Sequence, residues 1–140
     1  MGDRSNIVVE QADGQRIFLY GHWMGADAIN VVSQVLSRHE RWSDESYLTR
    51  MLFSKMVEGN LDGDTGYGIS TYQVDNDGYP LIIIKPASQT IMLERDRSFE
   101  RRANEALTPE IGFDDFLSAV PEHANYDELA VNMGAKLSLA

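Results

Sequence analysis

Arg16-Ile17-Phe18-Leu19-Tyr20-Gly21-His22-Trp23-Met24-Gly25 reads as an alternating apolar strand that runs straight into a histidine and a tryptophan held between two glycines. Side chains alternate along a strand, so Ile17 and Leu19 share one face while Phe18 and Tyr20 share the other. Either both faces of the sheet are partly covered or the edge is wet. Just upstream lies a second β-branched run, Ile7-Val8-Val9-Glu10, and the connection between them contains Asp13-Gly14, residues that tolerate positive φ. The two runs are expected to form a β-hairpin.

The period changes at Ala26. Ile29, Val32 and Leu36, with Ala28, Val31 and Val35, recur at three and four residues and predict a helix to Arg38. A second helix is predicted from Asp44 to Glu58: Ser43 or Asp44 can cap its start, Leu48, Met51, Leu52 and Met56 share a face, and Gly59 lies just beyond its end. The connector His39 to Trp42 is short, which favours an antiparallel helix pair packed on the sheet.

Gly59 to Gly66 is polar and glycine-rich and reads as a loop, after which Gly68 to Val74 resumes a strand-like mixture. Pro80 opens Leu81-Ile82-Ile83-Ile84-Lys85, the run expected to be most buried, and Thr90 to Glu94 answers it as a second hairpin. Arg95 to Glu105 is densely charged and fits either a solvated edge strand or a solvated helix. Thr108-Pro109 is a helix start, with Phe113, Phe116, Leu117 and Val120 on one face. In the segment from Glu122 to Ala140, Leu129, Met133 and Leu137 recur at a spacing of four, as in a loosely docked tail. The expectation is one α+β domain over residues 1–140, with a mainly antiparallel sheet from two β-hairpins, a helix pair on one face and a C-terminal helical region.

The 140 residues are 43% hydrophobic, and a chain of this length can bury roughly 68% of the surface its unfolded form exposes. Twelve Lys and Arg against 22 Asp and Glu give a formal charge of −10. That balance repels phosphate backbones and anionic lipid, which disfavours direct nucleic-acid binding, and it suits a basic partner. The absence of cysteine removes disulfides, thiolate nucleophiles and cysteine-ligated metals, and agrees with a reducing cytoplasm. The N-terminus has no apolar signal core, the longest aliphatic run is far shorter than the roughly 20 residues of a membrane span, and Asn6 stands where myristoylation would want Ser or Thr. A soluble cytoplasmic protein without a membrane partner is expected.

Three stretches collect the residues able to carry chemistry or recognition. They are the strand end at Tyr20, His22 and Trp23, the loop Asp62 to Tyr72, and the turn Asp75 to Pro80. His22 is the side chain naturally suited to proton transfer near neutrality, and so the candidate general base. The structural alternative is a ring packed under the helices and bonded to a carbonyl. A His22–Ser70–Asp75 triad has thin support: Gly68-Ile69-Ser70 has only the first glycine of a nucleophile elbow, and histidine comes first rather than last. Asp62, Asp64, Asp75 and Asp77 are weak metal candidates. The fifth and twelfth places after Asp62 are Gly66 and Gln73, which do not fit an EF-hand, and the alternative is that these aspartates form turns. Gly63, Gly66 and Gly68 invert a dinucleotide fingerprint and the loop has no P-loop lysine, so no cofactor is expected. The candidate ligand or partner surface comprises Tyr20, His22, Trp23, Asp64, Thr65, Tyr67, Ser70, Asp75, Asn76 and Tyr79.

Taken together, Met-Gly-Asp-Arg-Ser-Asn-Ile at the start, Leu-Tyr-Gly-His-Trp-Met-Gly in the first hairpin, and Thr-Gly-Tyr-Gly-Ile-Ser-Thr before Asp-Asn and Tyr-Pro resemble a family of small actinobacteriophage and bacterial proteins. The likeness spans roughly residues 1–85 and implies an origin, with no activity carried over. The reading that follows is a phage-type accessory protein, a non-catalytic binding module for a host protein or small ligand, with homo-oligomerisation left open. Two alternatives stand beside it: a hydrolase using His22 with aspartate or metal assistance, and an acidic decoy of a nucleic-acid-binding protein.

Overall fold

A computed structural model describes residues 2–139, with side chains to Ala135. It has an α+β fold built on one open sheet. The strands β1 (Ser5–Glu10) and β2 (Arg16–Gly21) form the expected hairpin, in register from Ser5 opposite Gly21 to Glu10 opposite Arg16. Two helices follow, α1 (Ala28–Leu36) and α2 (Glu45–Met56), and then β3 (Tyr67–Ser70), which pairs antiparallel with β2. The second hairpin is β4 (Leu81–Lys85) with β5 (Thr90–Arg95), and β4 lies parallel to β1 in the centre of the sheet. Two-residue strands β6 (Glu105–Ala106) and β7 (Ile111–Gly112) pair with β5 before α3 (Phe113–Ala119) and α4 (Tyr126–Leu139). The order across the sheet is β3-β2-β1-β4-β5-β6, with β7 also on β5.

Strand alternation sorts the core into two unequal layers. Ile7, Val9, Leu19, Ile82, Ile84, Ile91 and Leu93 face the helices and pack with Ile29, Val32, Leu36, Leu48 and Leu52, and with Phe113, Phe116, Leu129 and Met133 further along the chain. On the other face a small cluster of Val8, Phe18, Leu81 and Ile83 is buried although no helix covers it. A polar layer covers it instead. Arg16 reaches from β2 across β1 and β4 to grip Glu94 with two hydrogen bonds of 2.7 and 2.6 Å, and its Nε donates to Glu10 at 3.0 Å. Lys85 bridges Glu10 at 3.5 Å and Glu110 at 2.5 Å. Asn104 donates to Gln73 at 3.1 Å and to Glu94 at 3.5 Å, so the loops after β3 and β5 are tied over this face. Burial alone would push the Glu94 carboxyl up, but the hydrogen bonds and charge of Arg16, with help from Asn104 and Lys85, hold it below the ordinary range.

The α2 start is capped by Asp44, not Ser43: the Asp44 carboxylate accepts from Tyr47 N at 3.0 Å. Several expectations are corrected. The strand expected over Gly68 to Val74 ends at Ser70, where the Ser70 hydroxyl donates to Tyr72 O at 2.6 Å and turns the chain. Arg95 to Glu105 is neither a long strand nor a helix; after β5 it makes one 3-10 turn at Ser98–Glu100, held by Arg97 contacts to Glu100 and Glu105. Thr108 does not cap a helix. Its hydroxyl accepts from Leu93 N at 3.0 Å, joining the chain to β5, and the helix begins only at Phe113. Nor is α4 a loose tail, because Tyr126, Leu129 and Met133 are buried in the main core; the Leu137 side chain lies outside the described residues. Among the described residues no helix is long and apolar enough to cross a membrane.

Candidate functional site

The strand β2 ends at Gly21, and the chain turns through His22 and Trp23 into α1. The N-terminal segment straps this turn: Asp3 N donates to His22 O at 2.7 Å and Gly25 N donates to Asp3 O at 2.8 Å. Gly25 has φ +50 and lies against the Asp3 carboxylate, so a side chain there would be strained and would displace that carboxylate. On the other side His22 N donates to Gly66 O at 2.8 Å. Gly66 has φ +96, and a methyl group added to it would stand 2.7 Å from Trp23 Cζ3. The tryptophan ring therefore lies on a bare stretch of backbone that only glycine supplies.

His22 meets Trp23 edge-on, with ring centroids 4.7 Å apart, and its Nδ1 is 2.8 Å from the Tyr20 hydroxyl. The Nε2 edge faces Gly2, where a Cβ would lie 2.7 Å away. Trp23, not His22, lines the neighbouring cleft of about 270 Å³, together with Met24, Val31, Lys55, Met56 and Tyr67.

The turn at Asp75 to Tyr79 is tied to the same strap. The Tyr79 hydroxyl donates to Asp3 Oδ1 at 2.6 Å, and that bond, ahead of burial, raises the phenol above its usual range. Asp75 and Asp77 converge on Arg4: the Arg4 guanidinium contacts them at 3.1 and 3.3 Å, and Arg4 N donates to Asp77 at 2.8 Å. The charge of Asp77 is the main cause of the raised Arg4 pKa. Residues 2–4, in which sequence reasoning saw a family likeness and no apolar signal core but no part of a site, are thus the piece that joins the strand end to the later turn.

The expected surface is brought together unevenly. Tyr20, His22, Trp23, Tyr67 and Tyr79 gather around the strap and the Gly66 loop. Asn76, expected on the surface, is fully buried: its Oδ1 accepts from Asn6 N at 2.6 Å and from Asn6 Nδ2 at 2.9 Å, while its Nδ2 donates to Tyr79 O and Pro80 O at 2.6 and 3.0 Å. It is a structural clasp between β1 and the turn. Asp64 and Thr65 are exposed beside Gly66. Asp75 and Asp77 serve Arg4 rather than a cation, Asp62 and Asp64 are exposed, and among the described residues no group of three or more His, Asp or Glu side chains converges as metal ligands would. Ser70, His22 and Asp75 bond to Tyr72, Tyr20 and Arg4 respectively, so the imagined triad is not connected.

What composition and motif did not reveal is the apolar ground beside β3. Ile69 is 59% exposed, Tyr72 71%, Leu61 81% and Trp23 57%. A groove of about 340 Å³ runs between β3, the loop before it and α2, lined by Arg50, Phe53, Val57, Leu61, Thr65 and Tyr67. Helix periodicity had placed Leu48, Met51, Leu52 and Met56 inward, and the signal for the groove was Phe53 and Val57, apolar residues one step off that stripe.

Compared with protein-family models, curated proteins and solved structures, the chain matches none. The reading of this surface therefore rests on its own geometry.

Proposed function

We propose that this chain is a non-catalytic binding module, a phage-type accessory protein acting in a host cytoplasm, that presents Trp23 and the neighbouring β3 edge to a basic host protein. One observation carries the reading: Trp23 packs against His22 and the bare backbone of Gly66 yet leaves 57% of its area in solvent, and Tyr67 joins its cleft to the groove lined by the exposed Leu61. Exposed apolar patches of this kind on a folded chain mark interaction surfaces, and tryptophan is among the residues that most often dominate binding energy. The formal charge of −10 favours a cationic partner over nucleic acid or anionic lipid.

The reading is tested by retention of host proteins on immobilised wild-type chain and on the Trp23→Ala variant. The expected result is a partner captured by the wild type and lost, by about tenfold or more, from a variant whose thermal unfolding is nearly unchanged. A partner retained equally by both would overturn it. The hydrolase reading has less support, because Ser70 and Asp75 are turned to other partners and His22 lies beside the cleft without lining it.

A further inference from the structure

The two ends of the sheet are treated differently. At the far end residues 105–113 cross the outer side of β5: β6 and β7 pair with it, Leu107 N and Phe113 N donate to Leu93 O and Gln89 O, and Pro109 interrupts the run. At the near end β3 pairs with β2, and among the described residues no strand pairs with its outer side. His22 N bonds to Gly66 O directly opposite, and antiparallel pairs alternate between bonded and non-bonded. Gly68 and Ser70 therefore turn their amides and carbonyls towards β2, whereas Tyr67 and Ile69 turn theirs outward. Native sheets ordinarily blunt such an edge with charge, proline or a bulge; here the outward residues are an aromatic and an isoleucine.

The groove lies on the helix side of this edge, the side to which Tyr67 and Ile69 project, opposite Gly21 and Leu19. A strand laid along β3 would send every second side chain towards it. The loop that leads into the edge presents two exposed carboxylates, Asp62 and Asp64, whereas the nearby Glu58 is paired with Lys55 and Arg50 lies at the α2 wall of the groove.

From these features we infer that the partner docks as an extended basic segment that adds a strand to β3. One of its aliphatic side chains fills the groove against Phe53, Val57 and Leu61, and its Lys or Arg residues face Asp62 and Asp64. Main-chain bonds to Tyr67 and Ile69 supply affinity and the groove supplies selectivity. A second copy of this chain is a poorer occupant, since two formal charges of −10 would be brought edge to edge. The inference rests on the binding-module reading above, but it fails separately.

The test uses a displayed library of random dodecapeptides selected on the full chain, with the tightest binder then synthesised. The selected peptides should alternate aliphatic residues with Lys or Arg, and binding should slow amide exchange at Tyr67 and Ile69. Ile69→Pro removes only an outward donor and leaves the ladder to β2 intact, so it should fold and bind about tenfold more weakly, while Ile69→Thr should bind within about threefold of wild type. Leu61→Glu, a change at an exposed position, should also weaken binding.

Strand addition is overturned if no peptide is selected, if the selected peptides lack alternation, or if Tyr67 and Ile69 exchange as fast with peptide as without. It is equally overturned if the unliganded chain dimerises through this edge. Loss of host-protein capture with Trp23→Ala but not with Ile69→Pro would leave the binding module standing and remove this mode of docking.

Discussion

Asn76 shows how a single side chain can look like a recognition residue and be a clasp. Its Oδ1 accepts two bonds from Asn6 of β1 while its Nδ2 closes the turn on Tyr79 O and Pro80 O, and the residue is fully buried. Asn76→Ala would strand Asn6 N and take a donor from two backbone carbonyls, and a loss of about 2–4 kcal/mol in chemical unfolding is expected. Arg16 has a comparable role on the second face. Replacing it with Met would leave Glu94 buried without its partner and should cost about 3–5 kcal/mol. Glu94 also gives a pH signature. Its folded pKa, like that of Glu110 held by Lys85 and Thr90, lies below the unfolded value of about 4.3. The stabilisation is therefore complete above that unfolded value and is lost as pH falls through the lower folded ones. Urea midpoints measured from pH 6 to pH 3 should fall, and fall less steeply in Glu94→Gln.

Elements with strong periodicity were legible before any coordinates. Both hairpins, α1 and α2 lie where alternation and the three-to-four spacing placed them, because each buries a whole face whose pattern has one interpretation. The parallel contact between β1 and β4 was not legible, since nothing in either strand states which neighbour it takes. The α3 start was misread for a physical reason: Thr108 has the chemistry of a cap, and β5 recruits that chemistry through Leu93 N. In α4 the spacing of Leu129 and Met133 was visible, but docking strength is a property of the pocket that receives them. Truncating Leu129 to Ala should cost about 2–5 kcal/mol, as for a core leucine; a change under 0.5 kcal/mol would mean that α4 is peripheral after all. Asp44→Ala should cost about 1 kcal/mol through loss of the α2 cap.

For the whole molecule, charge was readable at once and its placement was not. The formal −10 is a property of composition, but the exposed Asp62 and Asp64 matter only because the loop that carries them leads into β3 at the flank of the sheet. Association with a cationic partner should therefore slow by about tenfold or more between 50 and 500 mM salt, with dissociation changing much less, as stopped-flow mixing would show. The candidate surface was half legible for the same reason. Of the residues that announce themselves by chemistry, His22, Asp75 and Asp77 hold the turn and the strap in place. Those that shape the flank, Ile69, Leu61 and Phe53, are ordinary aliphatic and aromatic residues whose importance depends on what is left bare beside them. Among the described residues β3 is the longer open edge, so growth of the sheet by strand addition runs from that side. A guest strand carries a fresh unpaired edge of its own, so such a complex stays finite only where the guest charges or covers its far side.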